Sequence, residues 1–468
     1  MTEAQSQKPL WSWAALAAVC DADADGAPAR PISGISIDSR TIALGDLFVA
    51  LKDQRDGHDF VLAAFKNGAA AALVAKSYAK QAGVGALLRV DDPLCALEDA
   101  GRIARFRTDA KIVAITGSVG KTGTKEMLRQ CLARVGQTHA SEKSYNNHWG
   151  VPLTLARMPE ATEYGIFEIG MNHPGEIAPL VRMVAPDAAV ITTVEPVHLG
   201  QFASLDEIAE AKSEILLGLP AGGTVILNRD NAYFDMLSMR AEERSIRVIS
   251  FGRSPHADIH LISADAAHDG SAVTASVRGR AVSFHLGAPG QHYIQNALAV
   301  VAALDVLDVD LDAALAALAD ISAPQGRGAH HKITFGPSGK ILLIDESYNA
   351  NPASMRAALA VLGTVPRDPW SRRIAVLGDM RELGATADAL HRALAPPIAD
   401  AKVDLVFCCG EHMRALFDAL PSERRGAHTR TSLELVPLLQ AALQPGDVVT
   451  IKGSLGTNMA PLVKAVRN

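Results

Sequence analysis

The sequence predicts an α/β protein in three parts. A small N-terminal α/β unit is expected over 1–91, a central unit with a phosphate loop on a mostly parallel sheet over 92–323, and a C-terminal Rossmann-like unit over 324–468. Length is the first reason, since 468 residues at roughly 150 per domain make about three. The second is a recurring order of short apolar runs and helical stretches, with glycine or polar residues where the runs end. The third is the stretch KIVAITGSVGKTGTKEML from Lys111 to Leu128, in which strand, glycine loop and helix follow directly.

That stretch is the centre of the chain. Ile112 to Ile115 is an apolar, partly β-branched run and reads as a buried strand. Thr116, Gly117, Ser118, Val119, Gly120, Lys121, Thr122 and Gly123 then form the loop, and a helix is expected from Thr124. Glycines let the backbone wrap an anion, with N–H groups and the positive helix end pointing at it. In such a loop Lys121 reaches the β/γ-phosphates and the Thr122 hydroxyl sits on Mg²⁺. Ile115 stands where the common G-x-x-x-x-G-K-[ST] pattern has glycine. The alternative, a plain glycine turn with a surface lysine, leaves the order of strand, loop, Lys-Thr and helix unexplained.

Composition narrows the class. Hydrophobic residues make up 48% and charged residues 21%, an ordinary globular balance with ample core. Net charge is −6 and no dense Lys/Arg run occurs, so nucleic acid is not the expected partner. Cys20, Cys95, Cys131, Cys408 and Cys409 show no metal-ligand or CxxC spacing, which suits a reduced cytoplasm. Pro9 to Cys20 is apolar but lacks a basic leader, and reads as the first buried helix rather than a signal peptide. No segment is long and apolar enough to insert in a membrane.

In the N-terminal unit, Ile35 to Asp38 alternates like a strand and Leu47 to Leu51 reads as a second. Ser39 and Arg40 at a strand end can hold a phosphate or a polar base, or simply form a surface ion pair. In the central unit, Tyr164 to Ile169 and Asp187 to Thr193 read as strands, with Glu168 and His198 at or beyond their ends. Carboxyl ends of strands line the ligand crevice of an open α/β sheet, so both should converge beside Thr122 as candidate Mg²⁺ ligands. Lys212 lies on an amphipathic helix from Asp206 to Leu217, where the local pattern makes it solvated. An alanine-rich helix runs from Asn296 to Leu307. Gly326-Arg327-Gly328 marks a joint, and Arg327 there is either a γ-phosphate clamp or a turn residue. In the last unit, strands end in Asp345-Glu346, Gly378-Asp379, Gly410-Glu411 and Lys452-Gly453-Ser454, which gives a second ligand-facing edge.

These residues resemble the Mur ligases, the ATP-dependent amide-forming enzymes of peptidoglycan synthesis. TGSVGKT (116–122) and the Lys212 helix resemble the family at large. SRT…GDLFVAL (39–51), DGHDF (56–60), YNNHWGVPLT (145–154), EIGMNHPGEI (168–177), HLGQF (198–202), ESYNANPASM (346–355), GDMRELG (378–384) and KGS (452–454) resemble its D-alanyl-D-alanine-adding branch.

The resemblance implies ligation of D-alanyl-D-alanine to a UDP-N-acetylmuramoyl-tripeptide through an acyl phosphate, by a cytoplasmic monomer. It implies an ATP site made by the loop 116–123 with Asn296, Arg327, Asp345 and Tyr348. Thr122 and Glu168 would hold one Mg²⁺, and His198 with a carbamylated Lys212 a second. Lys121, His198, Lys212 and Arg327 would be catalytic. Ser39, Arg40, His58, Asn147 and Asn172 would face the UDP substrate, and Asn349, Asn351 and Ser354 the acceptor. Tyr293 and Glu346 depart from the pattern, standing where asparagine and aspartate are common. Two other readings remain: a related ligase with another acceptor, such as a polyglutamate-adding or another Mur enzyme, and a nucleotide-dependent switch ATPase.

Overall fold

Three sheets follow one another along the chain in this computed structural model, which describes residues 9–142, 144–196, 201–202, 204–267, 270–322, 326–336 and 339–467. The first sheet has five strands, four of them parallel, with Asp23–Asp25 antiparallel at one edge. The second has nine, and the third six. All but the edge strand Ala329–Phe335 of the third sheet run parallel.

The central sheet positions the site. Its phosphate-loop strand, Lys111–Thr116, third from one edge, pairs in parallel with Tyr164–Glu168 on one side and Ala188–Ile191 on the other. The far edge is an antiparallel ribbon of Ile259–Ala267, Gly270–Val277 and Arg280–Leu286. Strand periodicity divides Lys111–Thr116 between two cores. Ile112 and Ala114 pack into one, Val113 and Ile115 into the other. Such two-faced burial is what a parallel strand covered by helices requires. Ile115 is fully buried there, so the residue that departs from the common loop pattern is a core strand residue.

Four expectations change. The alanine-rich helix is Gln291–Val306, beginning before Asn296. The phosphate-loop helix is Lys121–Leu132, one turn earlier than Thr124, because Gly120 takes a left-handed conformation and turns the chain at once into the helix. The N-terminal helix Trp13–Val19 buries only Leu16, so it lies on the surface rather than within the core. The Lys212 helix, Leu205–Ser213, passes into a 3-10 turn over Glu214–Gly218, and Lys212 is 2% exposed rather than solvated.

Candidate active site

A cavity of about 1040 Å³ opens at the carboxyl ends of the central strands and is lined on its other side by the third unit. The phosphate loop forms its floor. Gly117 has φ +146°, and a Cβ there would stand 1.9 Å from Thr192 Oγ1. Gly120 has φ +88°, and a Cβ there would stand 2.5 Å from Asn296 Oδ1. Both glycines are therefore required by close approach as well as by backbone angle. Thr192 Oγ1 donates to Val119 O at 2.6 Å and holds the loop from the neighbouring strand end.

Lys121 Nζ donates to Gly117 O at 2.7 Å, curled over the loop it belongs to. Burial, with the Arg327 charge adding to it, lowers its pKa, while Glu168 works in the opposite direction. Thr122 Oγ1 donates to Glu168 Oε2 at 3.0 Å, and Asn146 Nδ2 donates to Glu168 Oε1 at 2.8 Å. Glu168 is 2% exposed, and its bonded partners among the described residues are a hydroxyl and an amide. A hydroxyl and a carboxylate facing a phosphate cradle suit Mg²⁺, which takes few protein ligands and keeps phosphate and water oxygens.

Lys212 is buried and is not among the residues that line this cavity, and it shows no side-chain hydrogen bond or ion pair among the described residues. Burial lowers its pKa well below the ordinary lysine value, and the charge of Lys121 lowers it further. His198, the other residue expected at this metal position, lies outside the described residues.

The remaining expected residues divide. Ser118 to Gly123, Asn147, Asn172, Asn296, Arg327, Tyr348, Asn349, Asn351 and Ser354 line the cavity. Asn351 and Ser354 also form a capping box on the helix Pro352–Thr364, with Asn351 Oδ1 accepting from Ser354 N at 2.8 Å. Asn147 Oδ1 accepts from Gly150 N at 3.0 Å, at the first residue of the helix Gly150–Ala156. Thr116 is buried in the strand end beneath the loop.

Ser39, Arg40 and His58 sit in the first unit and do not line this cavity. Arg40 makes a two-pronged pair with Asp38 at 2.9 and 2.7 Å, the surface ion pair weighed as its alternative. The His58 ring spans Asp56 and the Ala75 backbone. Asp345 also stays off the cavity. Its carboxylate turns back to Ser347, accepting from Ser347 Oγ at 2.6 Å, because adjacent strand residues face opposite ways.

Glu346 takes the cavity position instead, bonded to Lys452 at 3.1 Å, with Lys452 also donating to Asn349 O at 3.0 Å. His292 and Tyr293 face the same region, and burial lowers the histidine's pKa. Sequence reasoning gave none of Asn146, Thr192, Glu195, Asn228 or Gln295 a role, although all five line the cavity. Asn146 carried a signal, as the neighbour of Asn147 in the loop before Gly150. Thr192 carried none, since its role comes from contact with Gly117 across the sheet.

The chain matches three family descriptions: Mur ligase family, catalytic domain, over 31–118; Mur ligase middle domain over 115–304; and Mur ligase, glutamate ligase domain, over 334–455. It is 34% identical over 447 residues to the UDP-N-acetylmuramoyl-tripeptide--D-alanyl-D-alanine ligase of Escherichia coli, covering 93% of this chain and 94% of that protein. The ligase of the same name from Rickettsia prowazekii is 33% identical over 430 residues, 92% of this chain and 94% of that protein. A crystal structure of MurF from Acinetobacter baumannii superposes with TM-score 0.84 at 30% identity, over 98% of each chain. Sequence, fold and the phosphate-loop cavity therefore agree that the chain belongs to the Mur ligase family.

Proposed function

We propose that this chain joins D-alanyl-D-alanine to the terminal carboxylate of a UDP-N-acetylmuramoyl-tripeptide, using ATP, and so makes the UDP-muramoyl-pentapeptide of peptidoglycan synthesis. One observation carries the reading: Lys121, Thr122, Glu168 and Asn146 form a phosphate-and-carboxylate floor that faces Arg327, Tyr348 and Asn349 across a single cavity. The floor suits phosphoryl transfer, and the far wall gives a second reactant a place to approach. The relatives named for this reaction, aligned over nearly the whole chain, fix the substrates proposed.

The tripeptide carboxylate attacks the γ-phosphorus of ATP, ADP leaves, and an acyl phosphate forms. Lys121 and Arg327 stabilise the charge on the transferred phosphoryl oxygens. Bound Mg²⁺, held by Thr122 and Glu168, with a second ion held by His198 and a carbamylated Lys212, would neutralise phosphate charge. The dipeptide amine then attacks the acyl carbon, phosphate departs and the amide forms. Asn349, Asn351 and Ser354 are the proposed acceptor contacts, and Asn296 and Tyr348 the proposed nucleotide contacts. Ser39, Arg40, His58, Asn147 and Asn172 are proposed to hold the UDP substrate, the first three from outside the main cavity. Water destroys acyl phosphates, so approach of the first and third units to the central one precedes chemistry. Domains divided at 91/92 and 323/324 around the three sheets suit that closure. A cytoplasmic setting accords with the five free cysteines.

The test is phosphate release with a panel of UDP-muramoyl peptides and acceptors. Release requiring both the UDP-tripeptide and D-alanyl-D-alanine is expected. Turnover with ATP alone, or with glutamate in place of the dipeptide, would overturn the reading.

A further inference from the structure

We propose that Tyr293 is a positioning residue for this reaction, its phenol fixing the Arg327 backbone to the central unit and so setting where the guanidinium stands. The proposal rests on the role given to Arg327 above. Tyr293 lies in the first turn of the helix Gln291–Val306, is 5% exposed, and belongs to the core of the central sheet. Its ring packs against His292 with centroids 4.4 Å apart. It is thus a rigid part of the central unit. Its hydroxyl donates to Arg327 O at 2.8 Å.

Arg327 is held otherwise from the third unit. Tyr348 N donates to Gly326 O at 2.9 Å and Gly328 N to Asp345 O at 2.8 Å. The guanidinium stacks 4.2 Å over the Tyr348 ring. Gly326 and Gly328 have φ +73° and +104°, so the arginine sits between two residues in the left-handed region. Such a segment swivels easily unless it is tied. Among the described residues the Tyr293 phenol is the hydrogen bond that ties Arg327 to the central unit, where the phosphate loop lies. Burial raises the Tyr293 pKa, so the phenol stays protonated and remains a donor. The charge of Arg327 already reaches Lys121, which places its guanidinium within electrostatic range of the loop.

The experiment is a double-mutant cycle on the full-length enzyme, read by phosphate release with saturating substrates. Tyr293→Phe keeps the buried ring and removes only the donor. It is expected to lower kcat about tenfold, with both substrate KM values within about twofold and Tm unchanged. Arg327→Gln lowers kcat further, and adding Tyr293→Phe to it costs little more, because the phenol acts through the arginine. A normal kcat in Tyr293→Phe beside a slow Arg327→Gln overturns the role of Tyr293 alone. Losses that multiply independently, or a fall in Tm that accounts for the loss, overturn it too. Full turnover by Arg327→Gln removes the reading of Arg327 itself, and the inference with it.

Discussion

Lys212→Met should give a protein that is more stable and nearly inactive. The wild-type amine is 2% exposed, has no side-chain partner among the described residues and feels the like charge of Lys121. Taking a lysine charge out of water costs several kcal/mol, so the amine is held towards its neutral form. Methionine fills nearly the same length without that cost. We expect a gain of about 2 kcal/mol, or about 4–8 °C in the Tm of a domain of about 200 residues.

The sign with pH follows from the depressed folded pKa. Between it and the unfolded value of 10.5 the unfolded chain binds more protons, so this lysine makes wild-type stability rise with pH through that window. The methionine variant lacks that rise. On the proposed carbamylation, the neutral amine would add carbon dioxide, and the carbamate would turn the like-charge repulsion from Lys121 into an attraction. Bicarbonate should therefore raise the Tm of the wild type and not of Lys212→Met. Loss of the carbamate should lower turnover by about 10²–10³-fold. Short carboxylic acids should partly restore Lys212→Ala, and Lys212→Arg should stay inactive. Scanning fluorimetry and phosphate release read both sides. A methionine variant with wild-type turnover, or one that melts below the wild type, would refute this account of the buried lysine.

Gly120→Ala places a Cβ 2.5 Å from Asn296 Oδ1 at φ +88°, so it should cost about 1–2 kcal/mol and raise the KM for ATP, measured by denaturation and by initial rates. Arg40→Ala removes an 86% exposed side chain paired only locally with Asp38, so stability should stay within about 0.5 kcal/mol. Its KM for the UDP substrate should rise while that for ATP holds; a parallel rise in both would point to misfolding instead. Asn351→Ala breaks the capping box with Ser354 and should cost about 1 kcal/mol, together with a higher KM for D-alanyl-D-alanine. An unchanged acceptor KM would remove Asn351 from the acceptor site.

The phosphate loop was legible because its chemistry is local. Strand, glycines, Lys121, Thr122 and helix lie in one short stretch, and backbone angles alone shape the cradle. Glu168 was legible for a related reason: strand ends in an open parallel sheet share one edge, and Thr122 opens the helix that follows the next strand's loop. Neither inference needed a long-range contact to be known in advance.

Lys212 shows where local pattern fails. Asp206, Glu207 and Glu210 make its helix look solvent-facing, yet the fold buries the lysine within electrostatic reach of Lys121. Periodicity names the faces of a helix but not which neighbour covers them. Asp345 and Glu346 show the same at finer scale. Both are polar and both end a strand, and only the pleat decides that Asp345 serves a turn while Glu346 meets Lys452, 106 residues away. What the sequence determined by itself was the loop, the order of the elements and the residue types the chemistry needs. Which charges are buried, which are paired and which face the cavity was decided by tertiary packing, because a charge's energy depends on neighbours the chain brings in from far along its length.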